Sequence, residues 1–257
     1  MIEVKRATEE DLEFVAGCGH SMNNEVAESV RRRTQWFLEK WQNGLVSLIG
    51  LLKGKRVGFL NMFPIEISPW GPIGKELYVI NCLFVTWDYQ KNGVGKRMMS
   101  SAIDIARSTS RKGIISFGYT DPKWYLPVSF FEKSGFREIS RNGDERLMML
   151  ALSGKAEIPK QMVSKYTYEP VEGKIVVDLF FNRFCSTSDI EAYRVMRVLK
   201  EFKDNVVFNL HEIEESGVKE EFGLPRAIFV NGKEIFWGYE APESGIRQAI
   251  VNAINCS

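Results

Sequence analysis

An α/β fold in two successive units is what the sequence predicts, and three observations carry that reading. Strand-like and helix-like patterns alternate from residue 1 to about 152. A connector with Pro159, Pro170 and few apolar residues follows over 153–172. The pattern then restarts, in the order β-α-β-α-β-β-α, over 173–257.

Taken in order, Ile2–Arg6 alternates apolar and polar residues as a short strand does, and Thr8 precedes an acidic turn with Asp11 three residues on, a cap-like helix start. Residues 23–42 predict a helix, with Val26, Val30, Trp36, Phe37 and Trp41 at helical spacing. The apolar runs Leu45–Leu52 and Val57–Ile65 flank Lys53-Gly54-Lys55-Arg56, which reads as a hairpin turn. The Pro- and Gly-rich loop 68–74 leads to a strand over 76–85. Gly93 to Arg111 predicts a helix with Met98, Met99, Ala102, Ile103 and Ala106 on one side, and 114–119 a strand. Pro127 suits a helix's first turn, where its missing N–H is no loss, and two closing strands follow over 136–140 and 146–152. In the second unit, strands are expected over 175–181 and 206–211, with helices over 188–202, 214–222 and 242–254. Asn231-Gly232-Lys233 is a hairpin turn signal between 227–230 and 234–237.

Thirty-four basic residues against 33 acidic ones argue against a nucleic-acid or membrane-surface binder, which needs a basic excess. No apolar run is long enough to span a membrane, and the mixed opening 1–6 lacks a signal-peptide pattern. Cys18, Cys82, Cys185 and Cys256 are scattered without a C-x-x-C pair, as in a reducing compartment, so a cytoplasmic protein is expected. With two histidines, His20 and His211, no metal centre is expected.

The most informative stretch runs from Leu83-Phe84-Val85 through Gln90-Lys91-Asn92-Gly93-Val94-Gly95-Lys96. A buried strand enters a turn with two glycines on which a helix opens. Unpaired N–H groups and the helix dipole make such a place an anion site, and glycine lets a phosphate approach the backbone. Gln90–Gly95 resembles the (Arg/Gln)-x-x-Gly-x-(Gly/Ala) acetyl-CoA motif of the GNAT N-acetyltransferases. Phe130-Phe131-Glu132-Lys133-Ser134-Gly135-Phe136 resembles that family's second motif, and the element order is similar over the first 152 residues. The resemblance implies a GNAT fold, a mixed twisted sheet with flanking helices, that moves an acetyl group from acetyl-CoA to an amine of a small molecule or protein. It implies that the main chain of Leu83, Phe84 and Val85 holds the pantetheine arm, that Gln90 to Gly95, with Lys96, holds the pyrophosphate, and that Phe131 also belongs to the cofactor site.

The sequence departs from the family at its proton donor: Phe131 stands where many relatives carry a Tyr, and Trp124 where an Asn is common. Tyr125, Cys82 and Glu76 are the candidate substitutes, with Tyr119 and Asp88 behind them. The resemblance places an acceptor pocket near the second helix and the loop 68–74, with Trp36, Trp41 and Trp70 as lining or as core.

In the second unit, the element order resembles thioredoxin and glutaredoxin. Phe184-Cys185-Ser186-Thr187-Ser188 opens the first helix with C-x-x-S spacing, where a helix N-terminus would favour the thiolate. Gly223-Leu224-Pro225 stands where that family has a cis-proline, so Cys185 and Pro225 form a redox candidate. A degenerate, purely structural domain is the other reading of this unit. For the whole chain, the alternatives to acetyl transfer are a non-catalytic CoA-binding or redox-sensing protein, suggested by Phe131, and a thiol-dependent redox protein using Cys185. The combination resembles the YoaP-like proteins.

Overall fold

A computed structural model describes residues 1–120, 126–202, 204–214 and 218–256. The chain divides into two compact units, Met1–Ser21 with Phe37–Gln161, and Met22–Trp36 with Met162–Ser257.

The first unit is built on β1 (Ile2–Arg6), β2 (Val46–Leu52), β3 (Lys55–Pro64), β4 (Leu77–Val85), β5 (Gly113–Tyr119), β6 (Arg137–Asn142) and β7 (Glu145–Ala151). They form a seven-stranded sheet in the order β1-β2-β3-β4-β5-β7-β6. β4 and β5 are parallel, and the other neighbours are antiparallel. The helices are α1 (Leu12–Ala16), the end of α2 (Asn24–Gln42), α3 (Val94–Ser108) and α4 (Val128–Glu132). Because both faces of the middle strands are covered, β2 and β3 read as continuous apolar runs instead of alternating ones. One face packs Leu60, Ile80 and Leu83 against Met98, Met99, Ala102 and Ala106 of α3. Alternate residues, among them Leu77, Val79, Ile115 and Leu147, form a core on the other.

At the start of this unit Thr8 and Asp11 cap each other's main chain, as the sequence suggests. Asp11 is fully buried, and it also receives Lys5 Nζ at 2.7 Å and Arg56 Nε at 2.6 Å. Burial pushes its carboxyl up, but hydrogen bonds from Lys5, the Thr8 main chain and Arg56 outweigh this and hold it well below the usual carboxylate range.

The second unit carries β8 (Ile175–Phe181), α5 (Ser186–Leu199), β9 (Val206–Glu212), α6 (Val218–Phe222), β10 (Ala227–Val230), β11 (Lys233–Glu234) and α7 (Glu243–Asn255). Its four strands run in the order β11-β10-β8-β9, with β8 and β9 parallel and the other pairs antiparallel. β8 is buried along its whole length. Val177 and Leu179 face Val195, Val198, Ile246 and Ile250, while Phe180 faces Ile213 and Phe229.

Two boundaries differ from the sequence reading. Residues 22–36, the larger part of α2, fold with the second unit. There, fully buried Arg33 donates from Nη1 to the Phe184 carbonyl at 2.8 Å and from Nε to Ser29 Oγ at 3.2 Å. Arg32 pairs with Asp189 at 2.6 Å, and Glu25 pairs with Arg194 and Arg197 at 2.6 and 2.7 Å. The connector is also shared out. Residues up to 161 join the first unit, where Ile73 and Lys160 exchange two main-chain hydrogen bonds of 2.8 Å. From 162 onward the chain joins the second, where Tyr166 stacks on Phe229 and donates to Asp178 at 2.7 Å.

Candidate functional site

The parallel ladder between β4 and β5 runs from Leu77–Gly113 to Ile80–Ser116 and ends there, although β4 continues to Val85 and β5 to Tyr119. Two side chains mark the divergence. Buried Ser116 donates its hydroxyl to the Ile80 carbonyl at 2.9 Å. Asn81 is the extra residue of a β-bulge, since Met62 pairs with Ile80 and Asn61 with Cys82. A bulge bends its strand, increases twist and re-aims the residues beyond it. Before it, Tyr78 and Ile80 face α3; after it, Leu83 and Val85 do. The Asn81 amide donates to Ser68 Oγ at 3.0 Å and to the Trp70 carbonyl at 3.3 Å, tethering the loop 68–74 to the bulge.

The turn beyond β4 is shaped by its own side chains. Gln90 Nε2 donates back to the Val85 carbonyl at 3.1 Å, and Asn92 Nδ2 to the carbonyls of Tyr89 and Gln90. Lys91 has φ +62° and Gly93 has φ +84°, the left-handed region that glycine adopts without strain. Gly93 is the N-cap of α3, and no side chain caps that end. A helix start leaves its first N–H groups without intrahelical partners, directed along the axis with the positive end of the dipole. A Cβ on Gly95 would lie 3.5 Å from Phe130 and 3.8 Å from Leu83, ordinary contacts that packing tolerates. Lys91 and Lys96 are exposed at the helix start. The expected binding residues of β4 and of the turn thus meet, with Leu83 beside Gly95.

Phe131, expected at the cofactor site, is fully buried, its ring centroid 5.6 Å from that of Phe130 and 5.5 Å from that of Phe136, so it serves the core. The partly exposed ring beside Gly95 is Phe130. Glu76 precedes β4 at the end where β4 and β5 are still paired, and it forms an ion pair with Lys112. The nine residues of β4, roughly 30 Å at the usual rise, separate it from the turn beyond Val85. Cys82 is buried, with its Sγ 3.9 Å from Cys18 Sγ. Asp88 is exposed on the turn, and Tyr125 and Trp124 lie outside the described residues. Of the tryptophans, Trp36 belongs to the second unit, packed against Phe184, and Trp41 donates to Ser47 Oγ at 2.8 Å.

Sequence reasoning missed Glu145. It is the register partner of Tyr119 at the diverging end of β5, and Tyr119 donates to it at 3.3 Å. Burial raises the carboxyl's pKa, with the Tyr119 hydrogen bond pulling the other way. No sequence signal marks a glutamate at the start of a closing strand; only the register does.

In the second unit Cys185 is the N-cap of α5 and is partly exposed. Its N–H donates to Asn182 Oδ1 at 2.9 Å, while Asn182 Nδ2 donates to the Pro225 carbonyl at 2.9 Å. Ser188 accepts the Asn182 N–H at 3.0 Å, which gives the serine of C-x-x-S a structural role. The Leu224–Pro225 bond is trans, against expectation. The proline meets this network through its carbonyl, a contact made here by the ordinary isomer. Among the described residues no group of His, Cys, Asp and Glu gathers as a metal site, and no helix is long and apolar enough to cross a membrane.

A strand that leaves its parallel neighbour and runs into a glycine-opened helix is the feature to set beside known proteins. Residues 44–138 match the acetyltransferase (GNAT) domain family. The GNAT match contains β2 to α4, and with them the Gln90–Gly95 turn and the diverging strands. The uncharacterized N-acetyltransferase YoaP of Bacillus subtilis (strain 168) is 27% identical over 155 residues, which are 59% of this chain and 61% of that protein. The chain therefore spans about three-fifths of the length of that relative. Among solved structures, the PaiA N-acetyltransferase of Thermoplasma acidophilum in complex with coenzyme A is 15% identical, covers 59% of this chain and 99% of its own, and has a TM-score of 0.44. A GNAT family acetyltransferase of Brucella melitensis in complex with acetyl-CoA is 15% identical, covers 62% and 94%, and has a TM-score of 0.42.

Proposed function

We propose that the first unit transfers an acetyl group from acetyl-CoA to an amine of a small molecule or protein. The observation that carries this is the early end of the β4–β5 ladder at Ile80–Ser116, with the uncapped start of α3 beside the separated strand. The match of residues 44–138 to the GNAT domain supports it, as do relatives named as N-acetyltransferases or solved with coenzyme A or acetyl-CoA.

Acetyl-CoA supplies the activated acyl group, and the chain supplies position and charge. On this reading the main chain of Leu83–Val85 holds the extended arm as an added strand would, and presents backbone donors toward the reacting carbonyl oxygen. The first turn of α3, with Lys91 and Lys96, holds the pyrophosphate. Glu145, whose carboxyl burial makes more basic while Tyr119 donates to it, is the general base we assign for the proton of the incoming amine. For the departing thiolate, Tyr125 and Cys82 are the donors to test, because Phe131 has no proton to give.

Isothermal titration with acetyl-CoA, on the wild type and on Gly95→Glu, tests the cradle. Saturable binding in the first and none in a folded second is expected. Absence of binding by the wild type at millimolar ligand contradicts the proposal.

For the second unit we infer a thioredoxin-like fold. The strand order β11-β10-β8-β9 with parallel β8 and β9, and Cys185 at the start of α5, support it. If Cys185 is reactive, iodoacetamide at neutral pH modifies it faster than exposed Cys256. Equal or slower labelling favours a structural domain. Acetyl transfer survives Cys185→Ser in either case.

A further inference from the structure

We propose that Cys18 and Cys82 are an oxidation-sensitive pair that closes into a reversible intramolecular disulfide and thereby switches the β4 cleft. Their sulfurs lie 3.9 Å apart, and both belong to the first unit. Cys82 follows the Asn81 bulge and stands two residues past the last β4–β5 pair. Cys18 lies in the turn Gly17-Cys18-Gly19 that ends α1.

The approach is fixed by packing. Cys18 has φ +51°, a conformation uncommon for a residue with a Cβ. The next residue, Gly19, has φ +77°, and a Cβ there would fall 2.6 Å from the Phe84 ring. Phe84 stands two residues beyond Cys82, on the same face of β4. The bare glycine thus lets the turn settle onto that ring, which brings the preceding thiol over the strand. A disulfide bond measures about 2.05 Å, so closure draws the sulfurs together by about 2 Å. Side-chain rotation and a small shift of a glycine-flanked turn supply that.

Cys18 is partly exposed and Cys82 buried, which sets the order of events. The Cys18 thiolate attacks one oxygen of a peroxide, giving a sulfenic acid and, after protonation, water. The Cys82 sulfur then attacks the Cys18 sulfur and displaces the second oxygen as water. Two thiols and one hydrogen peroxide become one disulfide and two waters, and a dithiol reductant reverses the change. The consequence for binding rests on the acetyl-CoA reading above. As the turn closes on Cys82 it presses on Phe84, which belongs to the segment of β4 proposed to hold the acyl arm.

The test uses the full chain carrying Cys185→Ser and Cys256→Ser, so that Cys18 and Cys82 are the remaining thiols. Hydrogen peroxide should remove the mass of two hydrogens and yield a Cys18–Cys82 cross-linked peptide that dithiothreitol abolishes. The further change Cys18→Ser, at the partly exposed member of the pair, should prevent it. Accumulation of oxygens on Cys18 while Cys82 stays a thiol overturns the proposal. Acetyl-CoA titration supplies the second readout. Affinity of the oxidised protein should fall by about tenfold, which is about 1.4 kcal/mol, and recover on reduction. Equal affinities would overturn the switch. If the reduced protein binds no acetyl-CoA, the acetyl-CoA reading fails, and the mass measurement still decides the disulfide.

Discussion

Gly93 and Gly95 stand two residues apart and answer different demands. Gly93 turns the chain through a positive φ into α3, whereas Gly95 packs beside Phe130 and Leu83. The motif was legible in the sequence because it is local: strand, turn and helix follow one another directly. Asp11 was half legible. Thr8-x-x-Asp11 reads as a cap, but Lys5 and Arg56 reach the same carboxyl from β1 and β3, which no local pattern shows. Asp11 has a depressed pKa in the folded chain, so its contribution to stability is present above the ordinary aspartate value of about 4 and is lost as pH falls below it. Asp11→Asn should therefore unfold at lower urea than the wild type at pH 7, and the gap should shrink by pH 3. A gap independent of pH would show that shape, and not charge, fixes this corner. Glu145 and the buried Phe131 were not legible, because their roles depend on register across the sheet and on the order of layers.

Among the elements, β4 carries the most information. Its apolar run predicts a buried strand, but the Asn81 bulge and the break from β5 come from pairing with β3 and from Ser116, both distant in sequence. The helix α2 teaches the same lesson in another form. Its spacing gives an apolar stripe and says nothing about which core owns it, so Val26, Val30 and Trp36 gave no sign of joining the second unit. Arg33 was not read as structural at all, yet its side chain is fully buried and binds the Phe184 carbonyl next to Cys185. Arg33→Met keeps volume but leaves that carbonyl without this donor, which costs about 1–3 kcal/mol. Chemical denaturation should show the loss, together with faster exchange at Cys185 and the start of α5. Unchanged stability would mean that the arginine is dispensable to the loop.

At the scale of the whole molecule, the restart of the strand and helix pattern predicts two α/β units, and the chain carries a seven-stranded and a four-stranded sheet. The dividing line was not legible, since the connector gives its first part to one unit and its last to the other. Near-zero net charge fits a chain whose proposed ligand is met by a helix start and a few lysines, without a basic surface. The central claim is that β4 beyond Ile80 and the start of α3 act together on acetyl-CoA. Hydrogen exchange measured with and without saturating acetyl-CoA tests it most directly. Protection confined to residues 81–85 and 93–97 is the predicted result. No change there, or protection elsewhere alone, would contradict the account.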